Sequence, residues 1–188
     1  MARHDRRADA ALARAAAGGD RGALEALLER HVERVHAVCY RILGPDDAMD
    51  AAQEALCSVI RAIGGWDERA AFTTWLHRIA VNAALDEMRR RARRPLPSDR
   101  LAEPATVDPG PEAVADRLDL DAGLARLPEE FRVAVVLRDL CDLDYAQIAE
   151  VLEVPPGTVR SRIARGRAAL AKLLGNPDGP GVRPTSRP

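Results

Sequence analysis

The chemistry this sequence offers is mostly cationic, and it is concentrated in two places. Thr158 to Lys172 holds four arginines and a lysine, Met88 to Arg94 holds five arginines, and neither run contains an acid. Such groups neutralise phosphates along a nucleic-acid backbone. In the first run the spacing matters as much as the charge. At about 100° per residue, Val159, Ile163, Gly166, Leu170 and Leu174 share an arc of roughly 80°, and Arg160, Ser161, Ala164, Arg165 and Ala168 fall opposite. Arginine reads a guanine edge or a phosphate, serine bonds either, and alanine allows close approach. Such a face suits a helix in the major groove, although a solvated charged face is the plainer reading of any arginine-rich helix. The preceding residues decide between them. Asp144 and Gln147 form a capping pair that opens a short helix, Tyr145 to Leu152, burying Tyr145, Ile148, Ala149 and Leu152. Only Glu153-Val154-Pro155 separates it from the next helix, which makes a helix-turn-helix.

The second basic run ends a helix that starts near Phe72. Phe72, Leu76, Ile79 and Ala83 form its apolar stripe, and Arg78, Asn82, Arg89 and Arg93 lie on another face within about 60°. That face places positive charge along a backbone, with one amide able to contact a base. Of six aromatic residues in the chain, Trp66, Phe72 and Trp75 gather here. Beside a basic groove they can stack on unpaired bases. They can equally be core anchors, the reading favoured for Phe72. Upstream, residues 44–54 (GPDDAMDAAQE) are acidic, and Asp47, Asp50, Gln53 and Glu54 either complement a helix dipole or meet a partner.

The elements that must position these groups read as helices throughout. Ala, Leu, Arg and Glu dominate, and runs of β-branched residues are almost absent. Leu24, Leu27, Leu28, Val32, Val35, Val38 and Ile42 make a stripe over 21–43, ended by Gly44-Pro45. A second helix runs from Asp46 to Ile63 and stops at Gly64-Gly65. Residues 95–111 hold Pro95, Pro97, Pro104, Pro109, Gly110 and Pro111 and read as a flexible linker. Helices resume over 112–126, 128–140, 145–152 and 156–174, with Pro128 at a helix start. The Gly/Pro-rich residues 175–188 read as a disordered tail. The expected fold class is therefore all-α, with two small helical domains, 9–94 and 112–174, joined by the linker 95–111. The whole-chain net charge of −1 conceals this division, because residues 99–130 carry nine acids against three arginines.

Several classes of function are disfavoured. Cys39, Cys57 and Cys141 are scattered and form no CxxC pair, so buried thiols in a reducing compartment are expected rather than disulfides or zinc. His31 and His36 read as surface or core residues. No metal-ligand spacing, Gly-rich phosphate loop or nucleophile–base set appears, so the chain is not expected to be an enzyme or to need a cofactor. No apolar run approaches the roughly 18 residues of a membrane span. The charged start of the chain does not read as a secretory signal.

Taken in order, these segments resemble the extracytoplasmic-function (ECF) branch of the sigma-70 family. Asp47 to Glu54 resembles its polymerase-binding segment, and Phe72 to Asn82 its promoter-melting and −10 segment. Leu127 to Arg132 and Pro156 to Arg162 resemble its C-terminal domain with the −35 helix. The phrase WLHRIAVNAALD and the proline-rich tail are similar to the actinobacterial sigma-M type. The resemblance implies a cytoplasmic transcription-initiation factor whose partners are promoter DNA and core RNA polymerase, through its β′ clamp helices and β subunit. An anti-sigma factor is a further implied partner. Asp47, Asp50, Gln53 and Glu54 would then face the clamp helices. The loop 66–72 with Asn82 would hold a flipped −10 base, and Trp75, Arg78, Arg89 and Arg93 would line the same strand. Arg160, Ser161 and Arg165 would contact the −35 element and Thr158 a phosphate, with Ala164 standing where some members carry a larger residue. Few aromatics remain for melting, which implies selectivity for promoters. A helix-turn-helix repressor or response regulator is the competing reading. It would need a sensor or receiver domain, which the N-terminal half does not resemble.

Overall fold

The computed structural model describes residues 2–93 and 112–175, with side chains from 7 to 93 and from 119 to 175. The expected linker lies outside the described residues, as does the tail beyond Gly175. Eight α-helices make up the described chain: α1 (Ala2–Ala17), α2 (Arg21–Leu43), α3 (Pro45–Ala62), α4 (Phe72–Arg93), α5 (Glu112–Ala125), α6 (Glu129–Val135), α7 (Tyr145–Leu152) and α8 (Pro156–Leu173). No strand occurs among the described residues, and no helix there is long and apolar enough to cross a membrane.

Local chemistry sets most boundaries. Asp20 caps α2 by accepting from the Ala23 amide at 3.1 Å. Gly44, at φ 88°, ends α2 in a backbone conformation that favours glycine, and Pro45 opens α3 immediately after it. Asp144 and Gln147 form the expected reciprocal capping box at α7. Pro128 caps α6 from just outside, and the helix proper begins at Glu129. The segment expected to run as one helix to Leu140 changes register after Val135 into a single π-turn, Val136–Leu140, closed by the Cys141 amide on the Val136 carbonyl oxygen.

α1 to α4 form one bundle and α5 to α8 a second. Ala13, Leu27, Val35, Val38, Ile42, Ala48, Ala55, Val59, Leu76 and Ala80 fill the first, and Val133, Leu137, Leu143, Ile148, Val159 and Ile163 the second. Four details depart from the sequence reading. On α2, buried His31 continues the inward row Leu27, His31, Val35, while Val32 is 41% exposed, because the helical period and not hydrophobicity decides which residue faces in. On α4 the buried face is wider than the expected stripe and includes His77, Ala80, Val81 and Ala84. Cys57 is exposed, whereas Cys39 and Cys141 are buried, which pushes both of those thiols up to about 12. Tyr145 and Leu174, expected inside, are 37% and 42% exposed.

The two bundles also pack on each other. α2 lies against α5, α6 and the π-turn. Arg41 Nε sits 2.7 Å from Asp121 Oδ1, with both side chains largely buried. His77 Nδ1 lies 3.2 Å from the Cys141 carbonyl oxygen, also buried.

Candidate nucleic-acid interface

α8 sorts its residues as a groove-reading helix must. Val159, Ile163 and Gly166 are buried against the second bundle, and Arg160, Ser161, Ala164, Arg165 and Ala168 are exposed. Gly166 lets α8 approach α6 closely: a Cβ there would stand 2.6 Å from Val135 Cγ2 and 3.1 Å from the Phe131 carbonyl oxygen. The arginines on this helix divide into two sets. Arg162 is held by Glu130 at 3.0 Å, and Arg167 pairs with Asp139, so both tie α8 to its own scaffold. Among the described residues no carboxylate pairs with Arg160 or Arg165, whose donors face outward. Ser161 Oγ donates to the Thr158 carbonyl oxygen at 2.9 Å, which leaves its lone pairs for a ligand. Thr158 is half-buried in the first turn.

α4 carries the second basic face. Asn82, Arg89 and Arg93 are exposed and Arg78 is half-buried. The three arginines do not stand free. Arg78 Nη2 lies 3.5 Å from Glu150 Oε2, and Arg89 Nη2 lies 3.9 Å from Glu153 Oε1, both acids belonging to α7 or the turn after it. Arg89 also meets Asp86 at 3.1 Å, and Arg93 Nε donates to the Arg89 carbonyl oxygen. Arg78, Asn82, Asp86, Arg89, Glu150, Val151 and Glu153 together line a polar cleft of about 360 Å³ between the bundles.

The aromatic residues sit differently from the stacking arrangement considered from sequence. Trp66 and Phe72 are 8% and 3% exposed and meet edge to face at 6.1 Å, while Trp75 is half-buried at 5.8 Å from Phe72. His31 closes the cluster at 5.5 Å from Phe72. Covered in this way, Trp66 and Phe72 present no open stacking face, whereas Trp75 stays partly exposed. Trp66 and Phe72 wall a cavity of about 170 Å³ bordered by Asp9, Glu68, Ala71 and Thr73, and the buried Trp66 Nε1 has no hydrogen-bond partner among the described residues. Asn82 does not border this cavity. It lies ten residues along α4 from Phe72, a rise of about 15 Å.

α1 contributes more than the sequence reading gave it. Asp9 is buried and meets Arg30 at 2.9 Å and His31 Nε2 at 3.1 Å. Burial still holds the His31 pKa below its ordinary value, outweighing the nearby carboxylate. Arg14 grips both carboxylate oxygens of Glu68, at 2.7 and 2.8 Å, and so ties the loop before α4 to α1. Beside Asp9, the signal for α1 was present only as alanines, Ala13 and Ala16 being its buried apolar residues among those described.

On α3, Asp50, Gln53 and Glu54 are exposed and Asp47 is half-buried. Asp47 pairs with Arg91 at 3.3 Å and Glu54 with Arg61 at 2.6 Å. Beside them Met49 and Ile60 are 56% and 50% exposed, and with Gln53 and Leu56 they form an outward stripe missed from sequence. Their helical offset from the buried row Ala48, Ala52, Ala55, Val59 was the available signal.

Comparison with known proteins matches residues 27–94 to the family model described as Sigma-70 region 2 and residues 117–170 to Sigma-70, region 4. The chain is 43% identical over 169 residues to the ECF RNA polymerase sigma factor SigE of Mycolicibacterium smegmatis, covering 84% of this chain and 65% of that protein. It is 41% identical over 175 residues to the ECF RNA polymerase sigma factor SigM of Mycobacterium tuberculosis strain H37Rv, covering 92% of this chain and 87% of the relative. Its fold is similar to that of the sigma factor RpoE from Bartonella quintana, solved in complex with the anti-sigma factor NepR. The TM-score is 0.65 at 24% identity, over 80% of this chain and 96% of that one.

Proposed function

The chain belongs to the ECF branch of the sigma-70 family, and from that premise we propose that it is an alternative sigma factor that recruits core RNA polymerase to promoters with its own −35 and −10 elements. The observation that carries this reading is the pairing, in one chain, of an α8 face with free donors and a second basic helix bearing a single exposed amide. A repressor needs only the first.

In this reading residues 9–94 bind polymerase and the −10 strand, and residues 112–174 bind the −35 duplex. The outward face of α3 docks on the β′ clamp helices. Met49 and Ile60 supply apolar contact there, with Asp47, Asp50, Gln53 and Glu54 around them. Arg160, Ser161 and Arg165 read base edges and backbone in the major groove, Ala164 allows the approach, and Thr158 meets a phosphate. Arg78, Arg89 and Arg93 follow the −10 strand, and Asn82 contacts a base within it. The cavity beside the loop 66–72 takes a base extruded from the stack, with the Trp66 indole N–H as its donor and Phe72 and Trp75 fixing its wall. Extrusion costs a few kcal/mol, which such contacts must recover. Covalent chemistry stays with the polymerase, so the chain acts in the cytoplasm as a recognition subunit and not as an enzyme. An anti-sigma factor that holds both bundles is the expected regulator.

Reading both elements requires Glu150 and Glu153 to leave the α4 face. Residues 95–111, fully extended, span at most about 56–61 Å, or about 17 base pairs of duplex. The test is run-off transcription by core polymerase on a promoter library varied at −35 and −10. Initiation that depends on this chain supports the proposal; no binding to core polymerase sinks it in favour of the repressor.

A further inference from the structure

Arg160 is the one base-facing arginine of α8 whose guanidinium has a partner, and that partner is a ring. Its Cζ lies 5.8 Å from the centroid of Tyr145, at the start of α7. A second guanidinium, Arg138, lies 5.5 Å from the same centroid, and its Nη1 donates to the Leu143 carbonyl oxygen at 2.8 Å. The ring is thus contacted by a fixed cation on one hand and by a DNA-facing cation on the other. The capping box of Asp144 and Gln147 fixes the backbone beneath it.

The kind of contact matters. A carboxylate would hold Arg160 by its N–H edge and occupy the donors that read guanine, as Glu130 does for Arg162. A ring attracts a guanidinium through its π face and leaves the five N–H donors free. Ring contact therefore restricts the rotamers of a long side chain without consuming its recognition edge. Arg165, five residues further along α8, has no such partner among the described residues.

We infer that Tyr145 is a positioning residue for −35 recognition: its ring pre-orients Arg160 and so sets base discrimination without touching a base. This inference rests on the proposal that Arg160 reads the −35 element. Tyr145 is 37% exposed, so it stands at the helix start as a large aromatic that adds little to the core.

The experiment uses full-length chain bound to core polymerase, in competition between a preferred −35 sequence and each single-base variant. Arg160→Ala first identifies the base pair whose discrimination depends on Arg160. Tyr145→Leu should reduce discrimination at that pair by about two- to fivefold, the scale of one exposed cation–π contact, and leave the other pairs unchanged. Tyr145→Phe keeps the ring and should restore it. Combining Tyr145→Leu with Arg160→Ala should give no loss beyond that of Arg160→Ala. A uniform loss across all sequences, an undiminished effect in the double variant, or equal effects of Leu and Phe would overturn the inference. If Arg160→Ala itself changes no discrimination, the base-reading role of Arg160 fails first, and that outcome is seen before any Tyr145 variant is compared.

Discussion

In the proposed reading, Arg165 and Asn82 hold the donors on which the two recognition surfaces depend. Arg165 is exposed and, among the described residues, free of any carboxylate, so its substitution removes a recognition group without unfolding α8. Arg165→Ala should cost about 1–3 kcal/mol of promoter discrimination, measured by competition binding. A loss equal on all sequences would make Arg165 a phosphate contact. Asn82→Ala should lower open-complex formation while core binding stays nearly intact, since Asn82 lies on α4 and the proposed docking stripe on α3. Parallel loss of both would remove its role at the strand. At this scale the sequence was most legible where one period separated residue types cleanly, as on α8. It was least legible for rings. Whether Trp66 is a platform or a wall depends on α1 and on the Arg14–Glu68 contact, 54 residues apart in the chain, and no local pattern carries that. Tyr145 read as a core residue because tyrosine fits an apolar row, and its neighbour Arg160 comes from the next helix.

The helices themselves were legible almost to the residue, because their ends are written in capping chemistry. Asp20, Gly44-Pro45 and the Asp144–Gln147 box each stop or start an element where they stand. Two elements were less visible. α1 buries alanines, which give little hydrophobic contrast, and the π-turn after Val135 leaves no mark in composition. Gly166 shows how tightly two elements can be specified by one position. Gly166→Ala would push a methyl against Val135 and the Phe131 backbone, so α8 must shift away from α6. The expected destabilisation is about 1–3 kcal/mol, seen as a lower urea midpoint. No change in midpoint would mean that the helices have slack the packing does not suggest.

What the sequence did not convey is that the two bundles share a seam. The composition break at residues 95–111 suggested independent readers, yet His77 packs under the Cys141 carbonyl and Arg41 under Asp121. Burial holds the His77 pKa below 6.5, with Arg34 and His31 acting in the same direction and the Cys141 carbonyl and Asp142 opposing. His31 is lowered likewise, by burial first and by Arg34 and Arg30, against Asp9. The unfolded chain therefore binds these protons at higher pH than the folded one. Their stabilisation is full above about pH 6.5 and declines as pH falls through the window below it. A urea midpoint lower at about pH 5.5 than at about pH 7.5, with the difference reduced in His77→Gln, is the expected result; equal slopes in both proteins would exclude His77. The acids of α7 give a second readout. Glu150→Gln with Glu153→Gln should raise binding of single-stranded −10 DNA by the free protein, by up to about tenfold for two exposed pairs. Unchanged affinity in fluorescence anisotropy would mean that these acids do not screen the α4 face.

The seam also bears on how freely the halves can be recombined. A hybrid in which another sigma factor's C-terminal bundle is grafted after residue 111 keeps Arg41 but exchanges the Asp121 carboxylate that meets it, and sets a different backbone carbonyl against His77. In the proposed reading, exchanging −35 specificity therefore also exchanges the surface that rests on the first bundle in the free protein.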